Sequence, residues 1–119
     1  MKDYKDLIVW QKSMIIVKNV YSLTRKLPKE EQFGLSDQMR RAAISIPSNI
    51  AEGFGRNSVK DYSRFLSITR GSKYELETQI RICIMLEYLS ENDVIETLSL
   101  LDEVGKMINA LINNLKSNA

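Results

Sequence analysis

Residues 62–98 read YSRFLSITRGSKYELETQIRICIMLEYLSENDVIETL. Tyr62, Phe65, Leu66, Thr69, Leu76, Ile80 and Cys83 return at steps that keep one side of an α-helix facing inward, and Leu86 and Leu89 extend that side. Upstream, Ser58 followed by Asp61 has the spacing of a helix N-cap with an acidic group in the first turn. A helix from Ser58 to Leu89 follows, about 30 residues and roughly 45 Å long at 1.5 Å per residue. Ser90 and Asp93 repeat the start signal, and Val94, Leu98, Leu101, Ile108, Ile112 and Leu115 carry a near-heptad pattern with Val104 and Leu111 beside it. That predicts a further helix, Glu91 to Leu115, before a fraying tail of Lys116, Ser117, Asn118 and Ala119. Two long helices separated by about two residues at Ser90 must fold back on each other. Gly71 and Ser72 fall mid-helix; a glycine there costs about 1 kcal/mol relative to alanine, and close approach of a neighbouring helix is the expected reason.

The N-terminal half supplies the other two helices. Trp10, Met14, Val17, Tyr21 and Thr24 lie on one helical face, widened by Ile16, Val20, Leu23 and Leu27, so a first helix is expected over Leu7 to Leu27. Pro28 stops it, because the residue before a proline is pushed out of the helical region. A second helix is expected from Glu31 or Ser36 to Glu52, with Met39, Ala43, Ile46 and Ile50 inward, a kink at Pro47, and Gly53 as a left-handed terminator. The fold class is therefore all-α, an antiparallel up-down four-helix bundle in one domain spanning residues 1–119.

Composition narrows the function. The chain has 119 residues, no histidine, one cysteine, five glycines and two prolines. Without histidine, imidazole-based catalysis and His metal sites are excluded, and a single cysteine excludes an intrachain disulfide and a Cys-rich zinc site. No cofactor or metal is expected. Cys83 sits on an apolar face and reads as a core thiol. Gly53-Phe54-Gly55 lacks the preceding strand and following Gly-Lys-Ser/Thr of a phosphate loop. Glu75 and Glu77, two residues apart, point to different sides of their helix and do not form a carboxylate pair. No enzyme is expected. The start Met1-Lys2-Asp3-Tyr4-Lys5-Asp6 is charged, unlike a secretory leader, and no apolar run approaches the ~20 residues of a membrane span, so a cytoplasmic protein is expected.

Net charge is only +2, but residues 40–73 hold seven basic residues, Arg40, Arg41, Arg56, Lys60, Arg64, Arg70 and Lys73, against Glu52 and Asp61. Residues 74–119 reverse the balance, with three basic and eight acidic residues. One reading is attraction between the two halves of the bundle; the other is a basic face for an anionic partner. On the second helix Gln38, Arg41, Ser45, Asn49 and Glu52 recur at steps of three and four. Short amides and hydroxyls of this kind suit a half-buried polar seam within the bundle or between subunits, with Arg41 partly buried and paired; a ligand or phosphate site is the alternative.

The stretches Asp6 to Lys12, Phe33-Gly34-Leu35, Gln38, Arg40 to Ala43, SIPSNIAEGFGR from Ser45 to Arg56, Phe65-Leu66, Gly71-Ser72 and Glu75-Leu76-Glu77 together resemble the four-helix-bundle family of proteins encoded in intervening sequences of bacterial 23S rRNA genes. The resemblance covers nearly the whole chain and implies a bundle assembled as a ring-like homopentamer. The ribosomal label of that family refers to gene location. The accessory protein of diversity-generating retroelements, similar in fold, implies as partners RNA or an RNA-handling protein. Two readings stand. In one, Arg40, Arg56, Lys60, Arg64, Arg70 and Lys73 contact RNA phosphates. In the other, the chain is an oligomeric protein–protein adaptor whose arginines pair with Glu52, Glu75 and Glu77.

Overall fold

The computed structural model describes residues 3–117. Its four helices are α1, Ile8–Thr24; α2, Leu35–Phe54; α3, Val59–Met85; and α4, Glu91–Ser117. Short 3-10 turns at Tyr4–Asp6 and Lys29–Glu31 precede α1 and α2, and no strand occurs among the described residues. The molecule measures 46 × 23 × 21 Å. Each helix packs on two others: α1 and α3 both touch α2 and α4, and the α2–α3 seam is the most extensive. Partners step backwards along one helix as they advance along the other. Lys12, Asn19 and Lys26 of α1 and its end meet Glu103, Glu96 and Asp93 of α4. Met39, Ser45 and Gly53 of α2 meet Cys83, Ser72 and Phe65 of α3.

Helix starts obey local chemistry. Ser58 Oγ accepts the Asp61 N–H at 3.0 Å and opens α3. At α4, Asp93 N–H donates to Ser90 Oγ at 3.2 Å while Ser90 N–H donates to the Asp93 carboxylate at 2.9 Å, a reciprocal capping box. The Asp93 carboxylate also accepts from Lys26 Nζ at 2.8 Å. The Lys26 contact first, then the Ser90 N–H, lowers its pKa to about 2.

The ends depart from expectation for identifiable reasons. α1 stops at Thr24 rather than Leu27, because Pro28 bars Leu27 from helical geometry and the turn tucks Leu27 into the core instead. α2 starts at Leu35, with Gly34 at its cap position, and the Glu31 carboxylate takes the Leu35 N–H at 3.2 Å. It runs through the buried Pro47 to Phe54. Gly53 is no left-handed terminator, since no glycine has positive φ. It marks a close approach of α2 to α3, where an added Cβ would stand 2.8 Å from Phe65 Cβ. α3 ends at Met85, four residues before Leu89, because Glu87 turns left-handed at φ 63°. Glu87 N–H then reaches Ile84 O at 3.0 Å and Tyr88 N–H reaches Cys83 O at 2.9 Å, a Schellman closure made without glycine. Lys116 and Ser117, expected to fray, are helical; Asn118 and Ala119, like Met1 and Lys2, lie outside the described residues.

The core is built from Ile16 and Val20, Met39 and Ile46, Leu66 and Ile80, Leu101 and Ile108, two from each helix, all fully buried. On α1 the inward face is the one expected only to widen the stripe: Ile16, Val20 and Leu23 are buried with Val9 and Ser13, whereas Met14 and Tyr21 are exposed and Trp10 and Val17 half-buried. α1 is apolar over so wide an arc that periodicity leaves two facings open, and packing against both α2 and α4 selects one. Gly71, expected to admit a neighbouring helix, is exposed with nothing near the position of a Cβ, and it is Ser72 that packs on α2.

Candidate functional site

The polar stripe of α2 divides. Its middle forms a compact network at the α2–α3 seam: Ser45 Oγ and Ser72 Oγ lie 2.8 Å apart, and Asn49 Nδ2 donates to both the Ser45 carbonyl and Oγ at 2.8 Å. Ser45 and Asn49 are half-buried, as the polar-seam reading expects. The outer members, Gln38, Arg41 and Glu52, are exposed. Arg41 is not buried: its side chain is 79% exposed, with Nε 3.0 Å from Asp37 one turn earlier on the same helix. The side chain, stem included, stands off the outer surface of α2 in water. Farther along, Gln79 is a polar core residue that the pattern did not single out; its Oε1 is buried without a hydrogen-bond partner.

Apart from Arg41, the six other basic residues of 40–73 fall into three places rather than one face. Arg40 lies beside α1, donating to Thr24 Oγ1 at 3.1 Å with its guanidinium 5.3 Å from the Tyr21 ring centre. Arg56, Lys60 and Arg64 gather around the α2–α3 turn. There Arg56 and Arg64 both lie over the Phe65 ring, at 5.0 and 4.7 Å from its centre. Arg56 pairs with Glu52 at 3.0 Å and Arg64 approaches Asp61 at 4.0 Å. Arg70 and Lys73 belong to the α3–α4 seam. Arg70 donates to Asn109 Oδ1 at 3.0 Å. Lys73, expected on an exposed face, is only 6% exposed and pairs with Glu77 at 3.0 Å. Of the three acidic partners expected for these cations, Glu52 and Glu77 take the role, while Glu75 accepts a long contact from Gln79 at 3.5 Å. Gly105, Lys106 and Asn109 of α4, which no spacing singled out, stand beside Arg70 and Lys73; a glycine within a helical run is their one sequence signal.

Apolar surface remains outside the core. Tyr4, Trp10, Met14, Val17, Ile44 and Pro47 line a groove of about 320 Å³ along α1 and α2. A second groove of about 530 Å³, between the start of α1 and the end of α4, is lined by Ile8, Met107 and Leu111 among others. Trp10 packs edge-on against Tyr4 at 5.3 Å and Phe54 against Tyr62 at 6.1 Å, while Phe33 is 88% exposed.

The Cys83 thiol is buried against Met39 sulfur at 3.6 Å, and burial, then the Glu31 charge, pushes its pKa up to about 11. Among the described residues there is no group of three or more metal-ligating side chains, and no helix is long and apolar enough to cross a membrane.

Comparison with solved structures finds a crystal structure of a protein with unknown function from the S23 ribosomal protein family of Bacteroides thetaiotaomicron. Its TM-score is 0.82 at 24% identity, covering 88% of this chain and 98% of that one, a likeness of fold. Comparison with curated proteins gives no match. A family model described as 23S rRNA-intervening sequence protein matches residues 5–110. That span takes in all of α1, α2 and α3 and most of α4, and the chain belongs to the 23S rRNA-intervening sequence protein family.

Proposed function

We propose that the chain is a non-enzymatic scaffold that assembles with copies of itself, as an antiparallel up-down bundle repeated around a ring of five, in the cytoplasm. The observation that carries self-assembly is the apolar strip on the outer side of α1 and α2, where exposed Met14, Tyr21 and Ile44 flank half-buried Trp10 and Val17. Contiguous exposed apolar surface of this kind is the usual mark of a protein interface. The number five rests on the family resemblance. The cations outside the α3–α4 seam favour an adaptor over a broad polyanion-binding face: Arg41, Arg56 and Arg64 each have a carboxylate partner, and Arg40 is held by Thr24. A chain without histidine, whose one thiol is buried, is suited to binding rather than catalysis.

Size-exclusion chromatography with light scattering tests assembly. The expected mass at micromolar concentration is five times the 13.7 kDa of the chain, falling to the single-chain mass in Met14→Glu/Ile44→Glu. A monomeric parent protein overturns the proposal.

A second reading, association with RNA, has one observation in its favour: the exposed Arg56, Lys60 and Arg64 cluster at the α2–α3 turn. Arginines on a helix surface contact phosphates without reading bases, and copies around a ring multiply weak contacts. On this reading Arg56→Gln/Arg64→Gln weakens binding of single-stranded RNA and flattens its salt dependence. No RNA binding at low salt leaves the adaptor reading alone.

A further inference from the structure

Two features that each lower stability meet at one point of the α3–α4 seam. Lys73 is a buried lysine, and Gly105 a buried glycine in the middle of a 27-residue helix. A Cβ on Gly105 would stand 3.0 Å from Lys73 Cε and 3.3 Å from its Nζ. The glycine thus provides the room into which the ammonium group fits. Local departures of this kind, concentrated at one place, are characteristic of functional sites.

The surroundings are rich in donors. The Lys73 ammonium carries three N–H bonds; Glu77 accepts at 3.0 Å, and the Tyr74 ring centre lies 4.3 Å away. Arg70 engages Asn109 through the oxygen of its amide, so the NH2 group of Asn109 is the end left to donate. Lys106 pairs with Asp102 at 3.2 Å, both largely in water, a contact that exchanges readily. Arg70, Lys73 and Lys106 outnumber the carboxylates beside them, Glu77 and Asp102. They enclose a notch of about 90 Å³, the space of about three waters. That is room for a small oxyanion.

We propose that this notch is a phosphate site, in which Lys73 and Arg70 with Lys106 and Asn109 hold the phosphate group of a ligand whose remainder lies outside the bundle. The site is independent of the apolar strip that carries self-assembly and lies apart from the Arg56–Lys60–Arg64 cluster.

Isothermal titration calorimetry of the full-length assembled protein with inorganic phosphate at constant ionic strength, against acetate as control, tests it. Saturable binding of one phosphate per chain is expected. Lys73→Met, which removes the ammonium and keeps the stem, weakens it about tenfold or more, the value of one charge-assisted hydrogen bond. Gly105→Ala, which crowds the ammonium while leaving every charge in place, does the same. Lys116→Gln, remote on α4, changes nothing. Circular dichroism and light scattering establish that each variant is folded and assembled. Decauridylate distinguishes the source of the phosphate. If it binds and inorganic phosphate displaces it, the site takes the RNA backbone; if only inorganic phosphate binds, it takes free phosphate or a phosphomonoester. No heat beyond the acetate control overturns the proposal, as does equal affinity in the parent, Lys73→Met and Gly105→Ala. Loss of assembly in Lys73→Met without phosphate binding by the parent overturns it in favour of a contact between copies.

Discussion

Alanine at Gly53 and at Gly71 is the same chemical change in two helices, and the structure gives it opposite signs. In α2, the Cβ of Gly53→Ala would sit 2.8 Å from Phe65 Cβ and 3.1 Å from the Tyr62 ring, with the Tyr62 carbonyl behind at 3.4 Å. The Phe65 Cβ is fixed to its backbone and cannot rotate away. Ordinary contact begins near 3.4 Å, so the two helices must part locally by about 0.6 Å. Overpacking of this kind costs about 1–3 kcal/mol. Against it stands the helix propensity of alanine, at most about 1 kcal/mol and less in a last turn. The net loss is about 1–2 kcal/mol, or roughly 4–8 °C in Tm for a domain of this length. At Gly71 the Cβ meets nothing within 4 Å, so Gly71→Ala keeps the propensity gain, about 1 kcal/mol or roughly 4 °C. Thermal unfolding followed by circular dichroism at 222 nm, all three proteins at one concentration, measures both. A Gly53→Ala protein as stable as the parent refutes the close-approach argument. A loss at Gly71→Ala shows that something occupies the space beside it in solution.

Four further outcomes follow from particular contacts. Glu87 holds a left-handed conformation that suits glycine, so Glu87→Gly should raise stability by about 0.5–1 kcal/mol in urea unfolding. Asp93 has its folded pKa lowered to about 2 from 3.8, so its contribution is complete above 3.8 and vanishes as pH falls toward 2. Asp93→Asn should therefore lower stability at neutral pH and flatten the acid limb of a stability–pH curve between those values. Cys83, buried and with its thiol pushed up to about 11, should be silent to Ellman's reagent in the native protein and react fully in denaturant. Arg41→Gln should shift stability by less than about 0.5 kcal/mol in the same urea assay, because the exposed pair with Asp37 is of the kind that contributes little.

Ser58 and Ser90 show what the amino-acid sequence determines unaided. Capping is a matter of a side chain and a backbone amide three residues away, so the starts of α3 and α4 are legible to the residue. Pro28 acts equally locally, and the number of helices follows from these punctuation marks. The end of α3 is less legible, because the left-handed turn falls on Glu87, a residue with no preference for it. The Ser45–Asn49 pair was readable as a half-buried polar element from its spacing, but its partner Ser72 was not, since it comes from another helix.

Facing and burial belong to the tertiary structure. α1 has two apolar arcs of similar strength, and only the simultaneous fit to α2 and α4 turns Ile16 and Val20 inward and leaves Met14 and Tyr21 at the surface. The basic-rich stretch 40–73 suggests one face in sequence, yet a helix turn of about 100° per residue and two separate seams scatter its charges. Lys73 is the sharpest case. Nothing in its own helix says that it is buried; the space for it is made by Gly105, 32 positions away on α4. Periodicity describes one helix at a time, whereas burial of a long side chain is decided by the shape of the helix opposite.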